Sequence, residues 1–239
     1  MSKSIAVFGA GPALGRAVAE RYAREGYDVA LVARSAELLD ALAGELRGTG
    51  ATAHVIAADL ADIDAIPQVA KRVRAAVGDP DVLYYGAAAN SFVSVTDLTV
   101  QRAQDLMPLG LYALLALVQE FLPAMLARGD GAILSAQGAS AVNSRPHIAG
   151  AFALAGQRNY LQSLHAAVAD KGVYVGGLYI GAAIERSPFH AQLEAARAAG
   201  GSVPDMATVH PGHLADLLWA MHQTRSRPEV GYPGELFNL

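Results

Sequence analysis

The stretch "FGAGPALGRAVA", residues 8–19, constrains this chain more than any other. It follows the short apolar run Ser4–Phe8 and opens a segment in which Leu14, Val18 and Tyr22 recur at helical spacing. A glycine motif between a strand and a helix has a physical meaning that the same residues lack elsewhere. Gly9 permits the tight turn, and Gly11 lets the backbone approach an anion. The free N–H groups and positive end of the helix at Ala13, Leu14 and Gly15 can then hold a pyrophosphate. The spacing Gly9-x-Gly11-x-x-x-Gly15 is one residue longer than the common dinucleotide fingerprint. The alternative is an ordinary strand-to-helix turn that needs glycine.

The rest of the chain repeats the alternation. Strands are expected at Asp28–Ala33, Ala51–Ala57, Asp81–Ala88, Gly131–Ala136, Val173–Ile180 and, last, near Glu229–Phe237. Helices are expected at Ala13–Glu25, Ala36–Arg47, along Ile63, Ile66, Ala70, Val73 and Val77, and at Gln101–Ala127, Ile148–Ala169, Pro188–Ala199 and Gly212–Gln223. Mostly continuous apolar strands between helices predict a parallel sheet covered on both faces. No linker, repeat or low-complexity tract divides the chain. The expected fold is α/β, a doubly wound parallel sheet of Rossmann type forming one domain over residues 1–239, with ligands at the C-terminal ends of the strands. Tyr84 and Tyr85 at the end of the fourth strand read as core aromatics.

Composition narrows the function classes. Hydrophobic residues make up 53% and charged residues 17% of the 239, enough for a real core and for surface buried between subunits. A net charge of −4 offers no basic field for nucleic acid. The absence of cysteine removes disulfides, thiolate nucleophiles and Cys-based metal sites. His210 and His213 in "HPGH" lack an acidic partner at ligand spacing, so no metal is expected. "MSKSIAVFG" enters a strand at once, so no signal peptide is expected. The apolar run Leu106–Leu126 carries Pro108, Gln119, Glu120 and Pro123, and its uninterrupted part reads as too short to span a bilayer. A cytoplasmic protein without a membrane partner is the expectation.

The end of the second strand usually reads the adenosine ribose. Where an NAD enzyme places a carboxylate, this chain has Ala33, Arg34 and Ser35, and Arg34 can pair with a 2′-phosphate. NADP(H) is therefore the expected cofactor, with a solvated arginine as the alternative. Asp59 can accept from the adenine amino group or cap the third helix, and Asp62 reads at least as well as a cap.

With these residues in place, the chain resembles the short-chain dehydrogenase/reductase family over its whole length. Phe8, Gly9, Ala13, Leu14 and Gly15 occupy positions of the family's Thr-Gly-x-x-x-Gly-x-Gly loop, with Ala13 for the middle glycine. "ARSAELLDALAGEL" and "ADLAD" are similar to the family's second helix and its adenine-side segment, which puts Ser35, Asp59 and Leu60 on the cofactor. Tyr85, Gly86, Ala87 and Ala88 stand where the family has Asn-Asn-Ala-Gly, and Ile180 and Gly181 where it has Pro-Gly. The resemblance implies cofactor contacts at Ala87, Ala88 and Gly181, a lid at about 183–210, and a homodimer or homotetramer paired through the helices Gln101–Ala127 and Ile148–Ala169.

The catalytic positions depart from the pattern. The resemblance places the family's asparagine at Met107, its serine at Gly138, its tyrosine at Gly150 and its lysine at Leu154; a shift of two residues gives Phe152 and Gly156. A check independent of register agrees: the lysines are Lys3, Lys71 and Lys171, and no Tyr-x-x-x-Lys occurs. The family's phenol protonates an alkoxide as hydride arrives, which glycine and leucine cannot do. Candidates for the missing acid and for substrate orientation are His147, Ser140 and Gln137. Asn90, Gly138, Gly150, Glu185 and His190 are candidates for the substrate pocket, and Ser91, Asn143 and Arg145 border it. An NADP(H)-dependent oxidoreductase with a non-standard site, acting on an unidentified small molecule, is the leading expectation. A non-redox cyclase, isomerase or lyase, or a catalytically silent nucleotide-binding protein, is the alternative.

Overall fold

A computed structural model describes residues 2–87, 93–201, 203 and 205–234. In chain order its elements are β1 (Ser4–Phe8), α1 (Leu14–Arg24), β2 (Asp28–Ala33), α2 (Ala36–Gly48), β3 (Ala53–Ala57), α3 (Ile66–Val77), β4 (Val82–Tyr85), α4 (Val100–Met107), α5 (Ala113–Arg128), β5 (Gly131–Gly138), α6 (Ala151–Val168), β6 (Val173–Ile180), β7 (Ala183–Ile184), α7 (Pro188–Ala198), β8 (Thr208–Val209), α8 (Pro211–Thr224) and β9 (Glu229–Tyr232). Seven parallel strands form one sheet in the order β3-β2-β1-β4-β5-β6-β9. The order reverses between β1 and β4, which opens a crevice at their C-terminal ends.

Each face of the sheet owns a core. Ile5, Val7, Val29, Leu31 and Tyr84 point toward α1, α2 and α8, while Ala6, Phe8, Val32, Tyr85 and Ile133 point toward α3, α5 and α6. Tyr84 and Tyr85 are both buried, on opposite faces, as strand alternation requires. β7 and β8 form a small parallel pair that brackets α7, within the expected lid.

Several boundaries differ from the sequence expectation. β3 starts at Ala53 rather than Ala51, β4 spans Val82–Tyr85 rather than Asp81–Ala88, and β5 runs two residues further, to Gly138. β9 ends at Tyr232 rather than near Phe237, which lies outside the described residues. The helix expected at Gln101–Ala127 is α4 and α5 joined by a π-helical turn at Pro108–Tyr112. Proline breaks an α-helix by removing an N–H and crowding the carbonyl one turn back, and a wider turn relieves both. The helical path is therefore continuous over Val100–Arg128, long and apolar enough to cross a membrane by length and composition alone. That corrects the expectation of too short a run. In this fold, Leu114, Leu117, Phe121 and Met125 bury one side of it against the sheet.

Two polar contacts fix the layers. Arg158 of α6 grips Glu229 of β9 with paired 2.8 Å bonds and lies over the Tyr179 ring. Burial alone would raise the Glu229 carboxyl, but the Arg158 guanidinium holds it below the usual carboxylate range. Between α1 and α8, the buried His222 ring stacks on Tyr22, and its Nδ1 lies 3.2 Å from the Tyr22 hydroxyl. Burial, with Arg225 and Lys3 adding to it, pushes the His222 imidazolium down to about 4.

A buried neutral histidine makes stability depend on pH. The unfolded chain takes up the proton near 6.5 and the folded chain near 4, so stability is fully present above 6.5 and declines as pH falls. Urea denaturation should show about 2 kcal/mol lost between pH 7 and pH 5. His222→Leu should abolish that slope, and an unchanged slope would remove His222 as its source.

Candidate functional site

The loop after β1 is built by contact. Gly9 has φ +95, and its N–H and that of Ala10 both donate to the Val32 carbonyl at 2.9 and 3.1 Å. A Cβ on Gly9 would sit 2.5 Å from the Ala87 nitrogen, and one on Gly15 would sit 2.0 Å from the Gly9 carbonyl oxygen. The loop is thus pressed between the first turn of α1 and the end of β4. Gly11 differs, since its Cβ would meet nothing nearer than 4.0 Å, leaving its open side to a ligand. Ala13 has φ −106, so the position where the family has a glycine requires no left-handed backbone.

The start of α1 has no side-chain cap and no acidic residue in its first turn. The Arg16 N–H donates to the Gly11 carbonyl at 2.9 Å, which leaves Ala13, Leu14 and Gly15 as the amides at the helix mouth. Orphan amides at the positive end of a helix, beside a backbone without side chains, suit an anion. Arg34 is exposed at the end of β2 and makes no hydrogen bond or ion pair among the described residues.

Other expected cofactor positions have structural partners. Ser35 caps α2 by accepting from the Leu38 N–H, and Asp59 accepts from the Ala61 N–H. Asp62 caps the short turn before α3 by accepting from the Ala65 N–H. Leu60 and Leu14 put their side chains into the core, so only their backbones are available to a ligand. Ala87 flanks Gly9, and the Gly181 N–H donates to the Tyr232 carbonyl at 2.6 Å. Ala88, Asn90 and Ser91 lie outside the described residues.

The positions to which the resemblance assigns the family's catalytic residues lie at the end of β5, at the start of α6 and at the end of α4. Gly138 ends β5 and is exposed; Gly150 stands at the N-terminus of α6, and Leu154 one turn later is half-buried. Met107 closes α4, directly before the π-turn. Phe152 is 40% exposed, and a Cβ on Gly156 would touch Leu111 at 3.6 Å. Ser140 is half-buried, and Glu185 and His190 are half-buried on the lid. His147 is exposed on the loop between β5 and α6, where Pro146 O accepts from Val95 N at 2.8 Å and Ala149 N donates to Val93 O at 2.9 Å.

A buried polar network beneath this region was not anticipated from sequence. The Ser135 hydroxyl donates to the Gln157 side-chain oxygen at 3.1 Å, and Gln157 Nε2 donates to the Gly110 carbonyl at 3.0 Å. The Tyr85 hydroxyl donates to the Leu109 carbonyl at 2.6 Å. Two side chains therefore donate to neighbouring carbonyls of the π-turn. The signal was present: Ser135 is the polar residue of the apolar run Gly131–Ala136, and Gln157 falls on the buried stripe of α6 with Ala153 and Leu161. Gln137, on the same face of β5 as Ser135, is 6% exposed, and neither end of its amide has a hydrogen-bond partner. Among the described residues no group of three or more His, Asp or Glu side chains could hold a metal ion.

A family profile described as short chain dehydrogenase matches residues 3–196. The chain belongs to the short-chain dehydrogenase family. A fatty acyl-CoA reductase of Mycobacterium tuberculosis is 33% identical over 136 residues, 56% of this chain and 46% of that protein. The match therefore spans about half of that relative's length. The structure of a metagenomic short-chain oxidoreductase in complex with NADP is 25% identical, has a TM-score of 0.79 and covers 96% of each chain. An NADPH-bound short-chain oxidoreductase of Pseudomonas aeruginosa, described as containing an atypical catalytic center, shares the fold at 23% identity, a TM-score of 0.82 and 97% of each chain.

The two loop glycines separate folding from binding. Gly15→Ala drives a methyl into the Gly9 carbonyl and should cost about 1–3 kcal/mol in urea denaturation. Gly11→Ala meets open space and should stay within about 0.5 kcal/mol of the parent. Equal losses at the two positions would contradict the packing described.

Proposed function

We propose that this chain is an NADP(H)-binding oxidoreductase whose active site works without the Tyr-x-x-x-Lys pair. The carrying observation is the open phosphate loop at the uncapped start of α1, with the free guanidinium of Arg34 one strand away. Ala13, Leu14 and Gly15 would hold the pyrophosphate through their amides, and Arg34 would pair with the 2′-phosphate. The NADP and NADPH bound in the two structural relatives support the reading by analogy. NADPH supplies hydride when bound; a carbonyl or imine that receives it also needs a proton, and the sequence has no Tyr-x-x-x-Lys to give one.

Cofactor choice tests this reading. NADPH should bind at least about tenfold more tightly than NADH, roughly 1.4 kcal/mol, and Arg34→Asp should abolish or reverse the preference. Equal affinities would remove Arg34 from the site. Binding of neither cofactor would favour a silent scaffold, and binding without turnover would favour the non-redox alternative that the glycines at 138 and 150 suggest.

His147 is the acid we assign to the proton step, with the half-buried Ser140 orienting the substrate oxygen; the Gln137 amide, expected as an alternative, is enclosed beneath the site. An imidazole N–H can donate a proton to a developing alkoxide, and the two backbone bonds on either side of His147 fix its loop. In a turnover assay His147→Gln should lower kcat by about two orders of magnitude and remove a pH inflection, with cofactor affinity unchanged. A variant with the parental pH profile would leave His147 as a solvated loop residue.

A further inference from the structure

β3 is an outermost strand of the seven-stranded sheet, so one of its sides has no strand beside it. Two backbone bonds fix which residues face that side. The Val29 N–H donates to the Thr52 carbonyl and the Ala58 N–H to the Ala33 carbonyl, both at 2.9 Å. In a parallel ladder alternate residues turn both of their polar backbone groups to the same neighbour. Thr52, His54, Ile56 and Ala58 therefore serve β2, while Ala53, Val55 and Ala57 turn their N–H and carbonyl groups outward. Such a row on an apolar edge strand is a template for another strand.

Both ends of that row are closed by side chains. The Arg47 guanidinium, at the end of α2, donates to the Ala53 carbonyl through Nε at 3.0 Å and through a terminal nitrogen at 2.6 Å. The Arg72 guanidinium, on α3, donates to the Ala57 carbonyl at 2.9 Å. α2 and α3 pack on opposite faces of the sheet, so one arginine reaches the edge from each face. Both arginines are exposed, and among the described residues every hydrogen bond of their guanidiniums goes to β3. Of the three outward carbonyls, that of Val55 is left between them.

We infer that Arg47 and Arg72 guard the β3 edge against pairing with a second copy of this chain. A guanidinium stays charged and has donors to spare, so it can hold a carbonyl and still be hydrated. Two copies meeting edge to edge about a two-fold axis would pair Val55 with Val55 through both backbone bonds. That register sets Ala53 of one copy opposite Ala57 of the other. Arg47 of each copy would then face Arg72 of the other, and like charges would be pressed together as their hydrogen bonds were given up. Without the two guanidiniums, the same edge offers an unobstructed ladder.

The experiment compares the parent with two double variants, Arg47→Ala/Arg72→Ala and Arg47→Lys/Arg72→Lys. Sedimentation velocity over about 5–500 µM gives the mass of each, and amide hydrogen exchange at the upper concentration reports on β3. At that concentration the alanine variant should reach about twice the parent's weight-average mass or more. Its Val55 N–H, open to water in the parent, should exchange at least about tenfold more slowly. The lysine variant keeps a charged donor at each position and should match the parent in mass and in Val55 exchange. An alanine variant with the parent's mass overturns the proposal. So does a heavier one whose Val55 N–H exchanges as in the parent, because its association then lies elsewhere. A lysine variant as heavy as the alanine variant removes charge and donors as the guard. An alanine variant that fails to fold also overturns the proposal, since the arginines would then fasten β3 rather than shield it.

Discussion

The close approach of Gly15 to the Gly9 carbonyl is the constraint on which the rest of the site depends. It draws the first turn of α1 onto the end of β1, while the contact of Gly9 with the Gly86–Ala87 backbone fixes the end of β4 at the same point. The Gly86 N–H, donating to the Phe8 carbonyl at 2.8 Å, holds these two strand ends level. The crevice at the switch between β1 and β4 is therefore a product of backbone packing.

The opposite end of the crevice follows a different logic. Where a reductase of this family presents hydroxyl, phenol and ammonium groups, this chain presents Gly138, Gly150 and Leu154 at the positions the resemblance assigns. Below them the packing is well determined. Gln157 and Tyr85 hold the carbonyls of the π-turn, and Arg158 ties α6 to the edge strand through Glu229. These contacts hold α6 in place against the sheet.

Much of the fold was legible from sequence, because its strands are nearly continuous apolar runs between helices of regular period. β2 and β6 end where the apolar runs Asp28–Ala33 and Val173–Ile180 end. The misses have physical causes. β5 reaches Gly138 because parallel pairing with β6 continues through Ile180, a long-range ladder that local pattern does not contain. The π-turn at Pro108 escaped notice because proline usually signals a break, and here buried hydroxyl and amide groups make the wider turn tolerable. The phosphate loop was readable because its requirements are backbone requirements, met by glycine. The Ser135–Gln157–Gly110 network was not, since a polar residue on a buried stripe reveals its partner only once the helix is docked.

Where a dinucleotide lies decides whether the crevice is a cofactor site. A crystal structure of the complex with NADPH would test it most directly. The pyrophosphate should lie on the amides of Ala13, Leu14 and Gly15, the 2′-phosphate against Arg34 beyond β2, and the nicotinamide toward the end of β5. A nucleotide bound elsewhere on the chain, or a pyrophosphate held away from the start of α1, would contradict it.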